Sequence, residues 1–155
     1  MRVKNVFIYI SDSLRFDYLP RRIRNMGLTY KTVAQSIFTP TSLASIVTGL
    51  NPPRHRVTDF SCSVPKEFVT MFDLPLETSY WDHPHDPLYL VLNRPDRIPL
   101  EDLPEPFLYV ERGAITHIPY EPELKGSITM RGYIKYARKN YERIKESYRR
   151  SAELA

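Results

Sequence analysis

The sequence feature that most constrains the fold is a short apolar and β-branched run near the start of the chain, NVFIYI at residues 5–10. The run lacks the three- to four-residue repeat of an amphipathic helix, and it is typical of a strand buried on both faces of a parallel sheet. It ends at a polar cluster, Ser11-Asp12-Ser13. Because open parallel sheets bind ligands beyond the carboxyl ends of their strands, Asp12 is the first candidate site residue.

Further helix and strand signals alternate along the chain. We expect a helix over 14–26 that Pro20 breaks or restarts, a strand over 28–37, a helix that begins near Thr39 and stops at Gly49, and a strand over 106–111. Residues 52–106 hold ten of the fourteen prolines and are expected to be mostly loop with short strands. The order predicts a single α/β domain over 1–155, with a doubly wound, mostly parallel sheet and flanking helices.

The last part of the chain, 131–155, is predicted to be a basic amphipathic helix. Its apolar positions recur at three- and four-residue steps, at Tyr133, Ala137, Tyr141, Ile144 and Tyr148. Between 131 and 150 there are eight Lys or Arg and two Glu, so the net charge of +4 belongs to this segment. A charge confined to one segment argues against a nucleic-acid surface. Such a face is usually just solvated, and the alternative is that the helix docks onto a partner or a second copy.

Cysteine and hydropathy restrict the cellular setting. The single cysteine, Cys62, excludes a disulfide framework and indicates a reducing compartment. The apolar run at the start is too short for a signal peptide core or a membrane span. We therefore expect a cytoplasmic protein with no membrane partner.

A hydroxyl at the start of the second predicted helix is the other candidate site residue. Thr39 lies where the helix dipole and the free N–H groups favour an anion. Together with the Asp12 carboxylate, it indicates a site where a divalent cation activates a hydroxyl and stabilises charge on a phosphoryl or sulfuryl group. The alternative is that Asp12 is a turn residue and Thr39 a helix cap.

Three ordered segments resemble the sulfatase family of the alkaline phosphatase superfamily. NVFIYISDSLRFDYL resembles the opening strand of that family, with Asp12 and Asp17 on its two acidic positions. TPTSLASIVTGLNPPRHRV resembles its nucleophile segment, which places Thr39 on the nucleophile, Ser42 on the serine of Pro-Ser and His55 on the histidine of His-Gly-Val. PFLYVERGAITHIPYEPE resembles a later strand followed by His117, Pro119 and Tyr120.

The resemblance implies an alkaline-phosphatase-like fold and a role for each matched residue. Asp12 would be a metal ligand, Thr39 the nucleophile and a metal contact, and His117 a group that binds the anionic substrate or assists the leaving group. Ser42 and His55 would support the loop. The implied cofactor is a divalent metal ion (Ca, Zn or Mn), and the implied substrate is a small anionic ester of sulfate, phosphate or phosphonate, which the enzyme hydrolyses or transfers.

The chain also departs from the family pattern. Sulfatases proper convert Cys or Ser at the nucleophile position to formylglycine, which Thr39 cannot form, so the threonine resembles the phosphodiesterase, phosphotransferase and phosphonate-hydrolase relatives. Arg56 replaces the glycine that follows the family's histidine, at a turn that favours positive φ. The later Asp-His-Gly segment with further metal ligands has no counterpart.

Two alternatives follow from these departures. The chain is expected to be the amino-terminal portion of the fold, incomplete at its carboxyl end, and the alternative to an enzyme is a truncated, non-catalytic module acting in binding or assembly. A second metal motif, Asp82-His83-Pro84-His85-Asp86, is more typical of a surface loop than of a metal site.

Overall fold

The computed structural model describes residues 4–81, 87–92, 97–117, 119–120, 124, 126 and 128–154. Contacts divide the chain into two compact units, which we call the first unit (1–10 with 32–112) and the second unit (11–31 with 113–155). The single domain expected over 1–155 stays a prediction.

Among the described residues, three strands form the sheet. They are β1 (Val6–Ser11), β2 (Glu77–Trp81) and β3 (Phe107–Gly113), in the spatial order β1-β3-β2. β2 runs parallel to β3, with Glu77 opposite Phe107 and Trp81 opposite Glu111. The expected α/β class with flanking helices is confirmed, and the parallel sheet is small. The alkaline-phosphatase-like, doubly wound arrangement stays a prediction.

In the part of the chain that the structure describes, six α-helices accompany the strands. They are α1 (Arg21–Arg24), α2 (Thr39–Thr48), α3 (Pro52–His55), α4 (Pro87–Leu92), α5 (Met130–Lys139) and α6 (Tyr141–Leu154). The core of the first unit joins buried side chains of α2 and α4 to those of β2 and β3, including Leu43, Val47, Leu88, Val91, Tyr80 and Val110. No helix in the described ranges has the length and apolar character to cross a bilayer.

β1 is less buried than the sequence predicts. Val6, Ile8 and Ile10 pack against the core of the first unit, whereas Phe7 and Tyr9 are 51% and 44% exposed. The expectation of a strand buried on both faces is therefore wrong. In the described sheet β1 is an end strand, next to β3 on one side, so its side chains alternate between core and solvent as on a half-buried strand.

Two expected elements before Thr39 are wrong in extent or type. The helix predicted over 14–26 is reduced to a 3-10 turn at Phe16–Tyr18 and the four-residue α1. The restart that the sequence predicts at Pro20 is confirmed, because its φ of −59° and extended ψ place it outside the helix and start α1 after it. The strand predicted over 28–37 is irregular chain with mostly exposed side chains.

The helix predicted over 131–155 is two helices. α5 begins after Thr129, whose hydroxyl accepts the Gly132 N–H at 3.1 Å. It ends at Lys139, and the side-chain amide of the next residue, Asn140, donates to the carbonyl of Tyr136 at 2.9 Å. This hydrogen bond stabilises the boundary between α5 and α6, which the periodicity of apolar residues does not reveal. Tyr133, Ile144 and Tyr148, which belong to the second unit, are buried.

Candidate active site

Thr39 is the first residue of α2, in the first unit. Phe38 precedes it in an extended conformation, and Pro40 in the first turn suits a helix start. The loop before Thr39 is fastened to the helix by Ser42, whose hydroxyl donates to the carbonyl of Ser36 at 2.7 Å and whose N–H donates to the carbonyl of Phe38 at 3.0 Å. A half-buried hydroxyl therefore sits at the amino end of a ten-residue helix, where N–H groups favour an anion.

His55 ties α3 to α2 from inside the core. Its side chain is 0% exposed, and its Nδ1 accepts the Val57 N–H at 3.1 Å. The proton of the neutral ring is therefore on Nε2, which donates to the Ser45 hydroxyl at 3.0 Å. Burial lowers the pKa of His55, so the ring is neutral at pH 7. This geometry suits the supporting role that the sequence predicts for His55.

Arg56 adopts the left-handed backbone conformation that is expected at this position, where the family that the chain resembles has glycine. Its φ is +60°, and its N–H closes α3 by donating to the carbonyl of Pro52 at 2.9 Å. The turn is thus kept although arginine has replaced glycine. The left-handed conformation costs a side-chain-bearing residue about 1–2 kcal/mol.

The turn at Asp12 is fastened on both sides by the segment that follows β3, in the second unit. The Asp12 N–H donates to the carbonyl of Gly113 at 2.9 Å, and the Asp12 carbonyl accepts the hydroxyl of Thr116. Thr116 is fully buried and its hydroxyl also lies 3.3 Å from the Ser11 hydroxyl. The backbone of Asp12 is therefore held from N–H to carbonyl.

The next peptide is held by α6. The Tyr148 hydroxyl donates to the carbonyl of Ser13 at 2.7 Å and accepts the N–H of Arg15 at 2.8 Å. Ser13 has a φ of +64°, an uncommon conformation for a residue with a side chain. Its hydroxyl lies 3.1 Å from the Asp12 carboxylate. The tyrosine thus bridges the two ends of a left-handed turn.

His117 directly follows Thr116, so the second unit brings the segments of two predicted site residues together. The His117 N–H donates to the carbonyl of Ala114 at 3.0 Å, and its side chain is half-buried. Asp12 and His117 belong to the second unit, and Thr39, Ser42 and His55 belong to the first. The roles assigned to these five residues stay predictions.

The second acidic residue of the opening motif is engaged by arginine. Asp17 accepts two hydrogen bonds from the Arg15 guanidinium, at 3.0 Å and 2.8 Å. This bond is the main cause that lowers the pKa of Asp17 and raises that of Arg15. Both side chains are exposed, so the pair holds local geometry and adds little stability.

The residues that the structure describes do not by themselves complete a metal site. Among them, no three His, Cys, Asp or Glu side chains are grouped as metal ligands would be. One carboxylate and one hydroxyl are fewer ligands than calcium or zinc takes in proteins. The motif at 82–86 lies outside the described residues. Dependence on a divalent ion stays a prediction.

Sequence reasoning missed two residues of this region, Thr116 and Tyr148. Thr116 had a weak signal, because it lies between a buried strand and a candidate histidine. The sequence places Tyr148 on the apolar face of a predicted helix and gives it no polar role. The sequence around each of these residues does not indicate that the hydroxyl has a hydrogen-bond partner more than a hundred residues away.

One curated protein resembles this chain over most of its length. It is the low-salt glycan biosynthesis sulfotransferase Agl7 of Haloferax volcanii, 34% identical over 126 residues. The aligned part covers 76% of this chain and 31% of the relative, so the chain spans about a third of the length of the curated protein it matches. No protein-family model matches the chain. No solved structure matches it. Membership of the sulfatase family therefore stays a resemblance.

Proposed function

We propose that this protein takes part in sulfuryl transfer, with Thr39 as the nucleophile that accepts the sulfuryl group from a small anionic ester. The observation that carries the proposal is the 34% identity to a protein named as a sulfotransferase. The position of Thr39 at the start of α2 supports it, since a hydroxyl beside free N–H groups suits attack on an anionic ester. Phosphate and phosphonate esters are the related substrates that the resemblance also implies.

The reaction proceeds in two balanced steps. The Thr39 oxygen attacks sulfur, the bond from sulfur to the leaving oxygen breaks, and the threonine proton passes to that oxygen. An acceptor hydroxyl then attacks the same sulfur atom, the bond from sulfur to the Thr39 oxygen breaks, and the proton of the acceptor passes to that oxygen, which restores the threonine hydroxyl. Water as the acceptor gives hydrolysis, and an alcohol or sugar hydroxyl gives transfer. His117 is proposed to bind the anion or to help the leaving oxygen gain its proton.

Asp12 is proposed as one ligand of a divalent ion that would neutralise charge on the ester oxygens when bound. Because the described residues supply too few ligands for a complete site, none of the steps above depends on the ion. The proposed setting is cytoplasmic, with a small soluble ester and not a membrane as the partner.

The test is to trap the sulfuryl group on the protein. The purified chain is incubated with nitrophenyl sulfate, with and without Mn, Zn or Ca, and peptide mass spectrometry locates any added sulfuryl group. We expect the group on Thr39, release of nitrophenol, and loss of both in Thr39→Ala. Thr48→Ala makes the same substitution at the other end of α2 and is expected to keep them.

The Haloferax volcanii relative, assayed in parallel, serves as a positive control for the choice of donor and acceptor. Activity that survives Thr39→Ala would contradict the assignment of the nucleophile. A folded chain that shows neither adduct nor turnover, under conditions where the relative is active, would support the non-catalytic module instead. Nitrophenyl phosphate and a phosphodiester substrate distinguish sulfuryl from phosphoryl specificity.

A further inference from the structure

We propose that Tyr148 of α6 is a positioning residue for the Asp12 turn, which it holds in its left-handed conformation through the Ser13 carbonyl and the Arg15 N–H. The importance of the turn for catalysis rests on the proposed function. The hydrogen bonds by which Tyr148 supports the turn do not depend on the proposed function, because all of their partners belong to the second unit.

The geometry of the hydroxyl carries the inference. Tyr148 is 7% exposed, and its oxygen donates one hydrogen bond and accepts another, at 2.7 Å and 2.8 Å. The two partners lie two residues apart, on either side of Leu14. A single buried hydroxyl therefore fixes the separation of Ser13 and Arg15. Burial raises the pKa of Tyr148, which keeps the hydroxyl protonated and able to donate.

The tyrosine ring is itself fixed by aromatic neighbours. Tyr120 contacts it edge-on with ring centroids 4.9 Å apart, and Tyr18 does so at 5.0 Å. Edge-to-face pairs at such separations are favourable. The Tyr120 N–H in turn donates to the hydroxyl oxygen of Tyr133 in α5, at 3.3 Å. Rotation of the Tyr148 ring would disrupt these contacts, so its hydroxyl is held rigidly.

The turn needs such support. With a positive φ, Ser13 is in a sparsely populated conformation that persists when the surroundings determine it. Thr116 and Gly113 fix the Asp12 peptide, and Tyr148 fixes the one after it. Without Tyr148 the backbone beyond Asp12 could relax, and the direction of the Asp12 carboxylate would change with it. A positioning residue of this kind acts on the chemistry only through the residue that it orients.

The experiment compares Tyr148→Phe with Tyr141→Phe. The first removes the hydroxyl and keeps the ring, and the second makes the same change on a side chain of α6 that is 65% exposed. Amide hydrogen exchange is measured for Arg15 in each variant. We expect a rise in its exchange rate of about tenfold in Tyr148→Phe, as loss of one hydrogen bond implies, and no change in Tyr141→Phe.

Wild-type protein provides a second measurement that needs no variant. The Arg15 amide is expected to exchange much more slowly than an unstructured amide because Tyr148 accepts its hydrogen bond. Unprotected exchange at Arg15 in the wild type, or an unchanged rate in Tyr148→Phe, overturns the inference whatever the activity proves to be.

Activity is a separate arm. If sulfuryl transfer is found, Tyr148→Phe is expected to lower kcat about tenfold or more while KM changes little, since a small misplacement of a catalytic group has that effect. A purely structural role would lower the folded fraction and leave the kcat of the folded protein unchanged. Lack of activity in the wild type contradicts the proposed function and leaves the exchange result to decide the role of Tyr148.

Discussion

The buried hydrogen bond between His55 and Ser45 gives the sharpest stability prediction. Ser45→Ala removes the acceptor of the Nε2 proton, at a position where Ser45 is only 7% exposed. Leaving a buried donor unsatisfied costs about 1–3 kcal/mol. Alanine is the better helix former within α2, which returns about 0.5 kcal/mol. The expected net loss in the free energy of unfolding is about 1.5 kcal/mol.

The assay is equilibrium unfolding in urea, followed by the fluorescence of Trp81. This is the single tryptophan of the chain, and it lies in the first unit with Ser45 and His55, so its signal reports the relevant unit. The loss should lower the unfolding midpoint without changing the denaturant slope. In a protein of this size it corresponds to a decrease in Tm of about 3–6 °C.

Ser63→Ala is the matched control, because it makes the same substitution at an exposed position of the first unit. It is expected to change the free energy of unfolding by less than about 0.5 kcal/mol. Equal stabilities of Ser45→Ala and Ser63→Ala would refute the reasoning, since they would show that the histidine proton has no need of the Ser45 hydroxyl.

Three more predictions use the same Trp81 assay. Burial lowers the pKa of His55, so below the ordinary pKa of 6.5 the unfolded chain binds a proton that the folded chain does not. The free energy of unfolding should therefore decrease as pH falls below 6.5 and should not depend on this group above it. The decrease should be at most about 1.4 kcal/mol per pH unit and should be absent in His55→Gln. Gly49→Ala should cost about 1 kcal/mol, because φ is +68° and an added Cβ meets nothing within 4 Å, so only backbone strain acts. Arg56→Gly should have the opposite sign, a gain of about 0.5 kcal/mol, since relief of the left-handed strain exceeds the added chain entropy; a loss of stability there would show that the arginine side chain contributes more than the strain removes.

Sequence reasoning located the elements whose signals are local. The end of α2 at Gly49 is predicted by a single residue that adopts positive φ readily, and β1 and β3 are predicted by short apolar runs. The position of β2 is not predicted by the sequence, because Glu77–Trp81 is a mixed polar and aromatic segment between prolines. Its pairing with β3 fixes its place in the sheet. The chain at 28–37 carries strand-forming residues but forms no strand, which local propensity cannot reveal.

The candidate site divides in the same way. The sequence identifies Asp12 because it follows the end of a strand. It does not predict the turn at Asp12, because the side chains that hydrogen-bond to this turn lie 104 and 135 residues further along the chain. His55 was found only through the family resemblance. Its burial and its bond to Ser45 depend on how α3 meets α2, which a pattern in one segment does not encode.

The aromatic face of 131–155 connects the fold with the candidate site. The sequence suggests that this face docks onto a partner or a second copy, but Tyr133, Ile144 and Tyr148 are buried in the structure. A partner that bound these residues would have to remove the Tyr148 hydroxyl from Ser13 and Arg15, at a cost of about 0.5–1.5 kcal/mol for each hydrogen bond in addition to the lost apolar contacts. Self-association through this segment stays a prediction, and the structure restricts it to the exposed side chains, among which Tyr141 is the largest aromatic. Tyr141 lies seven residues before Tyr148 and therefore on the same face of α6, so docking through Tyr141 would take place two helical turns from the side chain that supports the Asp12 turn.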